Sequence, residues 1–177
     1  VTLSGKIKNT RTPFSIDFDV GDVIVPKQEK RRIPTQLDDF KAPVINTYSI
    51  ETTVAEKIDA ILSLMEFSSR MKDYYDIYYL SHKFDFEGKV LCEALSKTFI
   101  NREHNFTIEQ FEQIMTFDSD DGMQKKWKAF KKKIDVKMEE FPFILQSINE
   151  FLCEPYTAVI KGTVFEKYWD ANECSWN

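Results

Sequence analysis

The hydrophobic period of this chain changes once, at Ser49, and that change decides its fold class. Before it, residues 14–20 alternate strictly, with Phe14, Ile16, Phe18 and Val20 on one side and Ser15, Asp17 and Asp19 on the other. Period two with aromatic and β-branched residues predicts a strand with one buried face. Gly21-Asp22 reads as a turn, and Val23-Ile24-Val25 as a second short strand that Pro26 ends. Residues 27–32 (KQEKRR) read as a charged loop, 34–43 as an irregular connection and 44–48 as a last short strand. From Ser49 the spacing becomes helical. Ile50, Val54, Ile58, Ile61, Leu62 and Met65 recur at i, i+3 and i+4, behind Ser49 as N-cap and Glu51 in the first turn.

Ser68 or Ser69 is placed to cap a second helix running to about Ser81. Further helices are predicted over about 88–102, 108–116, 122–134 and 142–152. Thr107 caps the second of these, with Gln110 in the capping-box position. The segment FDSDDG lacks calcium-loop ligand spacing and reads as a turn and helix cap. Met123, Trp127, Phe130 and Ile134 form one apolar stripe; Ile144, Ile148, Phe151 and Leu152 form another. Residues 156–177 fit strand or helix equally. The expected architecture is α+β, with a short β portion over 1–48 and a helical bundle over 49–177.

The 177 residues suffice for one domain or two small packed lobes. A formal net charge of −5 gives no overall attraction to nucleic acid. Cys92, Cys153 and Cys174 are odd in number and form no CxxC pair, which argues against a disulfide scaffold or zinc site and for a reducing cytoplasm. His82 and His104 have no partner at metal-ligand spacing and read as surface or loop residues. No apolar run approaches the ~20 residues of a membrane-spanning helix, so no membrane partner is expected.

Four charged features stand out. Asp17 and Asp19 project from one strand face, as a solvated edge or as a pair held by a divalent cation such as Mg²⁺. Lys57 falls roughly 20° outside the apolar stripe of its helix. There it either snorkels, with its stem on the core, or holds a phosphate in a cleft. Asp73 shares the face of Ile77 and Leu80 on an aromatic helix, where a core residue belongs; Arg70 reaches it at i−3, and Lys72 reaches Asp76 at i+4. That is either a structural ion pair or a carboxylate held in a site. The fourth feature is QKKWKAFKKK, 124–133, in which six lysines surround the Trp127–Phe130 stripe. It is a solvated face or a surface for a polyphosphate or RNA backbone.

YSIETTVAEKIDAI followed by SRMKDYYDIYYL resembles the paired signature of the AbiEii/AbiGii-type nucleotidyltransferases, roughly Tyr-x-x-Glu-x-x-x-Ala-Glu-Lys and then Arg-x-Lys-Asp-x-x-Asp. PFSIDFDVGDVIVP resembles the family's third acidic strand, and MQKKWKAFKKKI and FILQSINEFL its C-terminal helices. The resemblance implies a polymerase-β-like enzyme that transfers a nucleoside monophosphate from an NTP to an acceptor, tRNA in some members. It also implies a role as the toxin of a toxin–antitoxin or abortive-infection system, with a cognate antitoxin as partner. Asp17 is implied as a metal-coordinating carboxylate for Mg²⁺, with Asp19 beside it. Lys57 is implied as the phosphate contact and Asp73 as the acidic residue needed for activity. Lys72, Asp76, Glu51 and Arg70 are implied as supporting or nucleotide-side groups. The family's earlier Gly-Ser motif and the Asp-x-Asp strand after it have no counterpart in VTLSGKIKNTRTP. The expectation is therefore the C-terminal part of a longer nucleotidyltransferase or a degenerate member; the alternative is a catalytically inactive module that binds protein or RNA.

Overall fold

The computed structural model describes residues 1–18, 20–36, 38–134 and 138–177. Two small antiparallel hairpins come first. β1 (Thr2–Ile7) pairs with β2 (Thr10–Ser15), with Gly5 opposite Thr12. β3 (Glu29–Arg32) pairs with β4 (Val44–Thr47), with Arg31 opposite Ile45. The helical bundle follows: α1 (Ile50–Leu64), α2 (Met71–Lys83), α3 (Gly88–Asn101), α4 (Ile108–Met115), α5 (Asp121–Lys131) and α6 (Phe141–Lys161). A three-stranded antiparallel sheet of β5 (Phe86–Glu87), β6 (Tyr168–Asp170) and β7 (Ser175–Trp176) closes one end. The architecture is α+β, as the change of period predicts.

The strand expected over 14–20 is cut short. β2 ends at Ser15, and one further pair, Val1 with Ile16, closes the ladder. Ile16 and Phe18 are 38% and 73% exposed, so the alternating apolar side has no facing layer among the described residues. An alternation predicts a face for burial but does not supply what covers it. Val23 and Ile24 likewise belong to no strand, and part of the expected charged loop at 27–32 is β3. Among the described residues of the N-terminal segment, Val25 is the one in the main core, 2% exposed.

The bundle is built as its periodicity requires. Val54, Ile58, Ile61 and Leu62 of α1 are buried against α2 and α3. α6 lies across α2, α3 and α4 and buries Ile144, Ile148, Phe151 and Leu152. Trp127 of α5 stacks on Phe141 at 5.2 Å, and Tyr74 of α2 meets the same ring edge-on at 5.4 Å. Such ring pairs add roughly 0.5–1.5 kcal/mol beyond the area they bury. The capping box of Thr107 and Gln110 forms, and Asp120 caps α5 by accepting the Met123 N–H at 2.7 Å.

Three helix boundaries differ from the sequence reading. α5 ends at Lys131, short of the expected 134. α2 starts at Met71, because Ser68 accepts the Arg70 N–H at 3.1 Å and closes a turn ahead of the helix. α6 continues through Pro155 to Lys161 and stops at Gly162 in the left-handed conformation. Pro155 has no N–H for the Phe151 carbonyl four residues earlier. That oxygen instead accepts the Trp176 indole N–H at 2.9 Å, which removes the cost of the missing helical bond.

Candidate functional site

The entry into α1 fixes the first wall of the site. Ser49 caps the helix by accepting the Thr52 N–H at 3.1 Å, and its hydroxyl donates to the Val25 carbonyl. Thr52 Oγ1 accepts the Val25 N–H at 2.8 Å and donates to the Val25 carbonyl at 3.1 Å. Asn101 at the end of α3 donates to the Gly21 carbonyl at 2.9 Å. These bonds lay residues 21–25 across the ends of α1 and α3, and place Asp22 beside Tyr48, whose hydroxyl donates to the Asp22 carboxylate at 2.5 Å.

The second wall comes from α1 and α2. Lys57 stands on α1, its side chain 17% exposed. Its ammonium donates to Asp73 Oδ1 at 3.0 Å and lies 2.6 Å from Asp76 Oδ2. Asp73, 5% exposed in the first turn of α2, accepts a second bond at its other oxygen from Arg70 Nε at 2.6 Å. Lys72 lies 2.5 Å from Asp76. Five of the residues singled out in the sequence thus form one ion-paired network. Burial alone would lower the Lys57 pKa. Hydrogen bonds to Asp76 and Asp73, with the charges of both, outweigh it and hold the ammonium above the ordinary lysine value. Two cations meet buried Asp73 and offset part of the cost of burying its charge.

The remaining sequence candidates lie apart. Glu51 sits half-buried in the first turn of α1. Asp17 is exposed in the extended segment after β2, and among the described residues no hydrogen bond or ion pair joins it to the Lys57 network. Asp19 lies outside the described residues. No cluster of three or more histidine, cysteine, aspartate or glutamate side chains among the described residues has the arrangement to hold a metal ion.

Beside the network opens a polar cleft of about 280 Å³. Asp22 and Tyr48 bound it on one side, Glu56 and Lys57 on α1, Arg70 ahead of α2 and Arg102 after α3. Arg102 Nη1 donates to Asp59 at 2.8 Å, and its Nη2 lies 3.7 Å from Glu56. Asp59, 1% exposed, also accepts from His104 Nδ1 at 2.8 Å. Sequence reasoning missed Asp59, Arg102 and His104. Asp59 falls between Ile58 and Ala60 with its partners 43 and 45 residues away, so no local spacing marks it. Glu56 was within sight as the residue before Lys57 in the Ala-Glu-Lys signature.

The family model described as nucleotidyl transferase AbiEii toxin of the type IV toxin–antitoxin system matches residues 1–151. The chain belongs to the AbiEii family. The match covers both hairpins, the whole Lys57–Asp73 network and the cleft, and ends within α6. It makes the chain one of a family of nucleotidyltransferase-type toxins, for which a nucleotide substrate and a cognate antitoxin follow at the level of the family. No curated protein and no solved structure gives a significant match. No helix among the described residues is long and apolar enough to cross a membrane.

Proposed function

We propose that this AbiEii-family chain serves transfer of a nucleoside monophosphate from an NTP to an acceptor hydroxyl, with an RNA such as tRNA as the acceptor, in the cytoplasm, as the toxin of an abortive-infection or related toxin–antitoxin pair. The observation that carries the reading is Lys57: a half-buried ammonium kept charged by Asp73 and Asp76 at the wall of a polar cleft. In the transfer, the acceptor oxygen bonds to the α-phosphorus, the bond from that phosphorus to the bridging oxygen breaks, and pyrophosphate leaves. The charge that builds on the phosphoryl oxygens needs a fixed cation nearby, and a positioned one stabilises it without reorganisation.

Lys57 fills that role, and Asp73 holds it in place while binding Arg70 from the other oxygen. Asp76 meets the same ammonium and is held in turn by Lys72, and Glu51 lies in the first turn of α1. Mg²⁺ is the cofactor assigned to the reaction, with Asp17 and Asp19 as its ligands from this chain. The steps assigned here rest on Lys57, Asp73 and Arg70.

The test is incubation of the full-length protein with radiolabelled NTPs and total RNA. Lys57→Ala and Asp73→Ala are each expected to lower labelled product by at least roughly a hundredfold, the scale of one lost electrostatic contact to the transition state. Asp17→Ala is expected to do the same. Wild-type yields from all three variants overturn the reading. Binding of NTP with no labelled product from the wild-type protein would replace it by an inactive binding module.

A further inference from the structure

We infer that Arg102 is an anion-binding residue of the cleft, that it grips the polyphosphate tail of the nucleotide together with Lys57 and Arg70, and that buried Asp59 is the positioning residue that aims it. This rests on the nucleotidyltransferase reading and adds to it a group that the paired sequence signature does not contain.

The argument is one of repeated construction. The cleft has three cations on its walls, Lys57, Arg70 and Arg102. Behind Lys57 and Arg70 stands a buried carboxylate, Asp73, which does not itself line the cleft. Behind Arg102 stands another, Asp59, more deeply buried, which does not line it either. In both places the carboxylate occupies part of the cation from the protein side and leaves the rest toward the opening. A guanidinium held this way loses little side-chain freedom on meeting a ligand, and its planar fork suits two phosphate oxygens at once. Arg102 reaches Asp59 through Nη1, while Nη2 meets Glu56 at the loose distance of 3.7 Å.

The location of Asp59 fits support rather than packing alone. A carboxylate on the buried side of α1 would be costly without compensation, and it takes two partners from the chain after α3, Arg102 and His104. These bonds tie the end of α3 to α1 and fix where the guanidinium enters the cleft. Burial lowers the Arg102 pKa, but the bond to Asp59 and the charges of Asp59, Glu56 and Asp22 more than offset it, so the group stays a cation. Polyphosphate is the favoured occupant because the opening is small and polar, and its three cations outnumber the two carboxylates, Asp22 and Glu56, on its walls. The larger hollow at Thr35, Phe40 and Pro43, about 550 Å³, has Lys41 as the one charged residue among its described lining.

The experiment is calorimetric titration of the purified protein with sodium tripolyphosphate and with NTP at fixed ionic strength. Arg102→Ala is expected to weaken both roughly tenfold to a hundredfold, the worth of a charge-assisted contact. Arg102→Lys keeps the charge but loses the fork and is expected to recover part of the loss. Asp59→Asn keeps Arg102 yet is expected to weaken tripolyphosphate several-fold, and in full-length enzyme to raise the NTP KM more than it lowers kcat. Tripolyphosphate affinity equal to wild type in Arg102→Lys and Asp59→Asn overturns the inference, even if Arg102→Ala fails to fold. If Lys57→Ala loses binding while the Arg102 variants do not, the Arg102 role falls and the enzyme reading stands. If the wild-type protein binds neither ligand, both fall.

Discussion

Replacing Lys57 by methionine separates a site from a surface ornament by magnitude. The substitution keeps the apolar stem of the side chain and removes the ammonium that Asp73 and Asp76 share. Removing one partner from a buried pair costs roughly 3–5 kcal/mol when the remaining charge has nothing else. Here Asp73 keeps Arg70 and Asp76 keeps Lys72, but those partners are 59% and 69% exposed. Exposed partners are screened and contribute only about 0.2–1 kcal/mol each. The net loss is therefore expected to be about 2 kcal/mol, which for a chain of this size lowers Tm by about 4–8 °C. Urea and thermal unfolding followed by circular dichroism measure it, with an unchanged urea slope as the check that the same transition is compared. Asp73→Asn in the same background completes a double-mutant cycle. The double variant is expected to be more stable than the sum of the single losses by about 1–2 kcal/mol, because it no longer buries a lone charge. A Tm within about 1 °C of wild type, or strict additivity, would refute the argument that this network is buried and coupled.

Further expected outcomes follow from the same geometry. Because the Lys57 pKa is raised on folding, its contribution is fully present below the ordinary lysine value of 10.5 and is lost as pH rises through the higher folded value. The stability gap between wild type and Lys57→Met should hold constant from neutral pH to near 10.5 and narrow above it. Tyr74 has a buried hydroxyl with no hydrogen-bond partner among the described residues, so Tyr74→Phe should raise unfolding stability by about 1 kcal/mol in urea titration. Ser49→Ala removes a helix cap and a donor to Val25 and should lower stability by about 1–2 kcal/mol, measured the same way.

What was legible in the sequence follows from distance along the chain. The bundle helices, the Ser49 cap, the Thr107–Gln110 box and the Arg70–Asp73 and Lys72–Asp76 pairs are set by neighbours within four residues, and spacing reveals them. Lys57 was placed at the rim of its stripe, and there it stands; that it meets Asp73 sixteen residues on required the two helices to be packed. The extent of α6 was hidden because 156–177 fits strand or helix equally, and the carbonyl orphaned by Pro155 finds its donor only in Trp176, 25 residues beyond Phe151. The alternation at 14–20 was a true signal of apolar residues but not of a covered face. Asp59 was illegible for the opposite reason: in sequence it is an ordinary polar residue of a helix, and only the return of the chain after α3 brings Arg102 and His104 to it.

The clasp of Ser49, Thr52 and Asn101 on residues 21–25 assigns Asp22 and Tyr48 mechanically to the helices rather than to the hairpins. A truncated chain that starts at residue 21 keeps every group on the cleft's walls, whereas one that starts at residue 49 discards two of them and unseats Val25 from the core. The strip of chain between the hairpins therefore behaves as a gasket: it belongs to the part it seals, and the polar cleft is intact only while it is in place.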